Sequence, residues 1–290
     1  MSAVMSDGKD RELANTSENL FAEERKIRIL EEVADRKKVT VRALAQSLKV
    51  SGATVRTYLR DLERSGALIR THGGAIARTK TGLELDSRQK EVRNLEAKRL
   101  IARVAMGLIE DGDTLILDTG TTTLELARCL AERKDLTVVT NDLAIAQLLE
   151  DHPSVNLVVM GGTVRKGFHC TVGVQGREWT GGLTVDKAFM GANGFTAAKG
   201  ATTPDMNQAE TKKRMVSAAG KVILLCDHDK IGRVSFAQFA SAAQVGCLVT
   251  DRIEEAERAA LAKHGVQVLV AARRGTESEA DFRKSRQLAP

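Results

Sequence analysis

Over residues 21–34 the apolar positions Ile27, Ile29, Leu30 and Val33 have the spacing of one helix face. A short β-branched stretch, Val39-Thr40-Val41, follows, and residues 42–48 repeat the helical pattern through Ala43, Leu44 and Leu48. Ser51 is placed to cap a third helix, which opens at Thr54 and carries Val55, Leu59 and Leu62 on one face. Gly66 is its expected stop, and residues 67–75 read as two short strands around a turn. Three helices and a hairpin outline a small winged helix-turn-helix.

Beyond residue 94 the pattern changes. A helix over 95–109 leads into strand-length apolar runs at 114–117, 136–140, 155–160, 187–190, 222–226, 247–250 and 266–270. Helical stretches at 124–131, 143–150, 208–218 and 254–264 lie between them. Such alternation predicts an α/β domain with a largely parallel sheet covered on both faces. The expected organisation is a tail over 1–19, a winged helix-turn-helix over 20–78 and a linker over 79–92. A larger α/β domain over 93–273 and a second tail over 274–290 complete it. Both tails are polar, charged and aperiodic, and are expected to be disordered.

Charge separates the two domains. Residues 20–80 hold 14 Lys/Arg against 7 Asp/Glu, and the remainder holds 30 against 31. All the excess positive charge therefore lies in the helix-turn-helix segment, which points to double-stranded DNA as its partner. On the third helix Ser51, Thr54, Arg56, Thr57 and Arg60 are the candidate contacts to phosphates and base edges, with Arg70 and His72 on the wing. Tyr58 either packs against the first helix or touches DNA, with packing the expected role. Four widely spaced cysteines form no metal-ligand pattern, and no metal, cofactor or catalytic residue is expected. No apolar run approaches the roughly 20 residues of a membrane helix. The polar, acid-bearing first 20 residues have no secretory character. A cytoplasmic protein is expected.

In the α/β segment polar clusters stand where strands end. The sharpest is Asp118-Thr119-Gly120-Thr121-Thr122-Thr123. Gly120 allows a close turn, the threonines offer hydroxyls, and the next helix presents unpaired N–H groups, a combination suited to phosphate. Thr-rich turns also serve as plain helix caps, and the motif by itself leaves both readings open. Neither a GxxxxGK[ST] loop nor a GxGxxG fingerprint occurs.

Taken in order, these motifs resemble the DeoR family of bacterial transcription regulators. The N-terminal match is Val50-Ser51-x-x-Thr54-Val55-Arg56, Leu59-x-x-Leu62-Glu63-x-x-Gly66 and Arg70-x-His72-Gly73-Gly74-Ala75. It continues through Asp118 to Thr122, Thr140-Asn141, Gly161-Gly162-x-x-Arg165, Asp186 to Gly191, Ala209-Glu210-x-Lys212 and Asp227-x-x-Lys230. Where that family usually has Arg-Asp after the first arginine of the third helix, this chain has Thr57-Tyr58, so operator preference does not carry over. The resemblance implies a sensor domain similar in fold to ribose-5-phosphate isomerase and responsive to phosphorylated sugars. It implies an effector site drawn from Asp118, Gly120, Thr121, Thr122, Thr123, Thr140, Asn141, Gly161, Gly162, Arg165, Asp186, Glu210 and Lys230. Gly120 to Thr123 would hold the phosphate, with Arg165 or Lys230 adding a cation. Asp118, Asn141 and Glu210 would meet sugar hydroxyls.

The function expected is repression of carbohydrate-metabolism genes by a homo-oligomer, dimer or tetramer, released from its operator by a phosphorylated sugar. The alternative is a sugar-phosphate isomerase tethered to DNA, since Asp118, Asp186, Glu210 and Lys230 are also groups that such chemistry could use.

Overall fold

The computed structural model describes residues 22–33, 36, 38–64, 67–77, 84–173 and 182–271. Both expected tails, Gly66 and residues 79–83 of the expected linker lie outside them. The chain divides into two compact units. Met1–Leu95 with Lys166–Phe168 form one, and Glu96–Arg165 with His169–Pro290 form the other.

The first unit contains α1 (residues 22–33), β1 (Lys38–Thr40), α2 (Val41–Leu48), α3 (Gly52–Arg64), β2 (Leu68–Thr71), β3 (Gly74–Ala77) and α4 (Ser87–Val92). Its core is the apolar set seen in the sequence: Ile29, Leu30, Val33, Leu44, Val55, Leu59, Leu62 and Leu68 are all buried. The Thr40 hydroxyl accepts from Ala43 N at 3.2 Å and caps α2. The β-branched stretch pairs as a third strand, in the antiparallel order β1-β3-β2. Within the expected linker lies α4, opened by a capping box between Asp86 and Gln89, and Leu85 just before it packs into the same core.

The second unit runs through α5 (Leu95–Met106), β4 (Thr114–Leu117), α6 (Thr121–Ala127), β5 (Leu136–Thr140), α7 (Leu143–Leu149), β6 (Val155–Val159), β7 (Thr163–Arg165) and β8 (Cys170–Val172). It continues through β9 (Val185–Gly191), β10 (Gly194–Thr196), β11 (Gly200–Thr203), α8 (Met206–Ala218), β12 (Ala219–Leu225), β13 (Ala237–Ala240), β14 (Cys247–Thr250), α9 (Glu255–Ala262) and β15 (Gln267–Val270). Seven parallel strands form one sheet in the order β15-β14-β12-β9-β4-β5-β6. Strand alternation feeds two cores. Leu115, Leu117, Phe189 and Ile223 face α5, α6 and α7, while Ile116, Met190 and Leu224 face α8 and α9.

The sequence pattern places α6 three residues late. Thr121 to Thr123 form its first turn and are not a free loop. It also omits the β7–β8 hairpin and the three-stranded β10-β11-β13 sheet. Those strands are three or four residues long, too short for a period to register.

Burial pushes the thiol of Cys226 up to about 12 and those of Cys170 and Cys247 up to about 11. Burial also raises the partly exposed Cys129. At pH 8 a disulfide reagent is therefore expected to titrate at most the Cys129 thiol of the native protein, and all four after denaturation. Two or more fast-reacting thiols in the native protein would contradict this packing.

Candidate functional site

On the DNA-reading candidate face, Ser51 Oγ accepts from Thr54 N at 3.1 Å and lies 2.9 Å from Thr54 Oγ1, capping α3. Arg56, Thr57 and Arg60 are exposed, opposite the buried Val55, Leu59 and Leu62. Thr57 Oγ1 turns back to donate to Ala53 O at 3.3 Å. On the wing, Glu63 holds the Arg70 guanidinium at 3.4 Å and accepts from its backbone N at 3.3 Å, and His72 is exposed at the turn. A cleft of about 430 Å³ brings Arg56, Arg70 and His72 together. It adds Arg42, which the sequence reading passed over. Tyr58 is buried against the first helix, its hydroxyl accepting from Arg25 Nη1 at 3.4 Å. With 13 residues, about 20 Å long, α3 has the dimensions of a major-groove reader.

In the second unit the strand order reverses between β4 and β9, and ligands of open α/β sheets bind beyond the strand ends at such a switch point. There the Thr140 hydroxyl donates to Leu117 O at 2.7 Å and accepts from Asp142 N at 3.1 Å, locking the ends of β4 and β5. Asp142 Oδ1 accepts from Ala144 N and Ile145 N at 2.8 and 3.0 Å, capping α7. Its Oδ2 accepts from Thr119 Oγ1 at 2.7 Å and Gly120 N at 3.3 Å. Burial raises the Asp142 carboxyl above its ordinary range, against the pull of these four donors. Thr123 Oγ1 donates to Gly120 O at 2.7 Å. The hydroxyls of Thr119, Thr123 and Thr140 and the Gly120 N–H thus build the loop. Among the described residues, the Thr121 and Thr122 hydroxyls take no part in it.

Asp118 is fully buried at the switch point. Its Oδ2 accepts from Gly191 N at 2.9 Å and from Lys212 Nζ of α8. Lys212 also donates to Gly191 O at 3.0 Å and lies 5.1 Å from the Phe239 ring centroid. The Leu117–Thr140 register sets Asp118 beside Asn141, whose Nδ2 donates to Thr171 O at 2.9 Å. Two buried oxygens, Asp118 Oδ1 and Asn141 Oδ1, have no hydrogen-bond partner among the described residues.

The other candidates divide. Arg165 lies 3.5 Å from Gln208 Oε1 and 3.7 Å from Asp205 Oδ2, so its charge is already balanced. Lys230 ends the short helix beyond β12, on the same edge of the sheet. Gly161 borders open space. A Cβ on Gly162 would lie 2.8 Å from Val172 O, so this glycine is explained by the approach of β8. Asp186 stands at the amino end of β9, accepting from Thr114 N at 2.8 Å, and the strand's length separates it from Asp118. Glu210 is exposed and paired with Arg214 at 3.0 Å. Neither joins the cluster. Lys212 and Asp142, which do, were absent from the candidate set. The signal for Lys212 was present: at helical spacing it shares a face with Ala209, Met215 and Val216.

An exposed basic helix on a winged domain, together with an α/β unit that gathers polar side chains at its switch point, fits the class of DNA-binding regulators. Residues 25–81 match the DeoR-like helix-turn-helix domain and residues 93–252 the DeoR C terminal sensor domain. This chain belongs to the DeoR family of transcriptional regulators. It is 38% identical to the HTH-type transcriptional regulator GlpR of Haloferax volcanii, over 85% of this chain and 96% of that one. It is 34% identical to the HTH-type transcriptional repressor GlcR of Bacillus subtilis, over 87% and 97%. Among solved structures, ribose 5-phosphate isomerase A of Methanocaldococcus jannaschii is 20% identical and aligns over 48% of this chain and 55% of that one, with a TM-score of 0.36. The eIF2B delta subunit of Chaetomium thermophilum is 20% identical over 54% and 56%, with a TM-score of 0.40. No helix among the described residues is long and apolar enough to cross a membrane.

Proposed function

We propose that this regulator is a cytoplasmic homo-oligomeric repressor of carbohydrate-metabolism genes, released from its operator by a phosphorylated sugar bound at the β4–β9 switch point. The observation that carries the reading is the prebuilt Gly120–Thr123 turn beside buried, unsatisfied oxygens of Asp118 and Asn141. The first turn of α6, with Thr121 and Thr122, would hold the phosphate; Lys230 is the nearby cation without a recorded ion pair among the described residues. Asp118 and Asn141 would hold the sugar. That the Bacillus subtilis relative GlcR is a transcriptional repressor supports the sign of regulation. Of the carboxylates the isomerase alternative would use, Asp186 lies at the other end of the sheet, Glu210 points outward and Asp118 is paired with Lys212.

Binding to the chain's own upstream DNA, titrated with sugar phosphates, tests the reading. Arg56→Ala is expected to weaken specific binding about 10- to 100-fold, the worth of one good base contact. Thr122→Val is expected to bind operator normally yet resist release. Arg56→Ala with wild-type affinity would remove α3 as the reading helix, and normal release of Thr122→Val would move the phosphate elsewhere.

A further inference from the structure

We propose that the buried ends of β4 and β5, at Asp118 and Asn141, read neutral hydroxyl donors and reject a carboxylate. The effector is then a phosphorylated aldose, ketose or polyol and not the sugar acid of the same skeleton. This inference rests on the sugar-phosphate reading of the site and adds the oxidation state of the effector's far end.

The two unpartnered atoms are both acceptors. Asp118 and Asn141 are 0% and 1% exposed, so neither oxygen is served by bulk solvent. A buried acceptor left unpaired is destabilising, and native proteins keep few of them. The Asn141 amide cannot turn to relieve the conflict, because Nδ2 is held by Thr171 O at 2.9 Å. Asp118 is equally fixed, with Oδ2 bonded to Gly191 N and Lys212. What this end lacks is O–H or N–H donors.

Charge decides which donor fits. A carboxylate brings only acceptors, so it would face two more acceptors in a buried space. Lys212 cannot rescue it. Its charge is matched by Asp118, and its other contacts are Gly191 O and the Phe239 ring. Asp142 adds a second carboxylate one residue beyond Asn141. An ammonium would bring donors too, but would carry an added charge into a site away from water. Hydroxyls supply donors without net charge and satisfy both oxygens.

The test uses the full chain and three probes sharing one skeleton: glucose 6-phosphate, 6-phosphogluconate and glucosamine 6-phosphate. Ribose 5-phosphate with its aldonate and fructose 6-phosphate with its hexitol extend the set. Binding is followed by calorimetry. Within a skeleton that binds, the neutral form is expected to bind at least about 100-fold tighter than the acid. Asn141→Ala is expected to weaken binding of the neutral form about 10-fold or more. Equal or tighter binding of the acid, or preference for the amine, overturns the inference and leaves the sugar-phosphate reading standing. A protein that binds DNA but none of these phosphates removes that reading, and the inference with it.

Discussion

Lys212→Met is expected to destabilise the sensor unit by about 3–5 kcal/mol, the cost of leaving one member of a buried ion pair without its partner. Asp118 and Lys212 are 0% and 2% exposed, and Gly191 N is the other donor to Asp118 Oδ2. Methionine fills most of the lysine's volume, so the loss reports charge and not a cavity. Urea unfolding followed by circular dichroism measures it. The double variant Asp118→Asn/Lys212→Met removes both charges and keeps an acceptor for Gly191 N, so it is expected to be more stable than Lys212→Met alone. A loss under about 1 kcal/mol in the single variant, or a double variant less stable than the single, would refute a buried ion pair at this point.

Gly74→Ala is expected to abolish operator binding while the sensor's response to ligand persists. A Cβ there would fall 1.8 Å from Val39 O and 2.8 Å from Thr40 Cα. Both are backbone atoms of β1, so no side chain can move aside. The Thr40–Gly74 pairing must open, and with it the Val41 N to Gly73 O bond of 2.8 Å and the setting of the Thr40 cap on α2. A cost above about 4 kcal/mol to the winged unit follows from overlap of this depth. Fluorescence anisotropy with labelled operator DNA measures the loss, and hydrogen exchange at Lys38 to Thr40 locates it. Wild-type affinity in Gly74→Ala would mean that β1 and β3 can separate without disturbing the reading helix.

The helices of the winged unit were legible because each is amphipathic at a single period, with Ser51 marking where the reading helix begins. The parallel sheet was legible because its strands are short, nearly continuous apolar runs between helices. The site was legible only in part. Motif spacing picked out Asp118, the Thr turn and Asn141, which all lie at strand ends. It also admitted Asp186 and Glu210. A strand has two ends and a helix has an outside, and composition does not say which one a charged residue occupies.

The linear order of apolar and polar residues, with the excess positive charge confined to residues 20–80, was enough to assign two domains, a basic helical one and an α/β one. Those are properties of local periodicity and of net charge. Strand order, and so the switch point, arises from pairings between β4 and β9, residues about 70 apart. That pairing brings Gly191 against Asp118, and Lys212, 94 residues from Asp118, completes the buried pair. Among the described residues the same packing leaves two buried oxygens without donors. Which residue faces inward, which glycine tolerates no Cβ and which acceptor is left without a donor depend on contacts between distant segments, and only tertiary packing decides them.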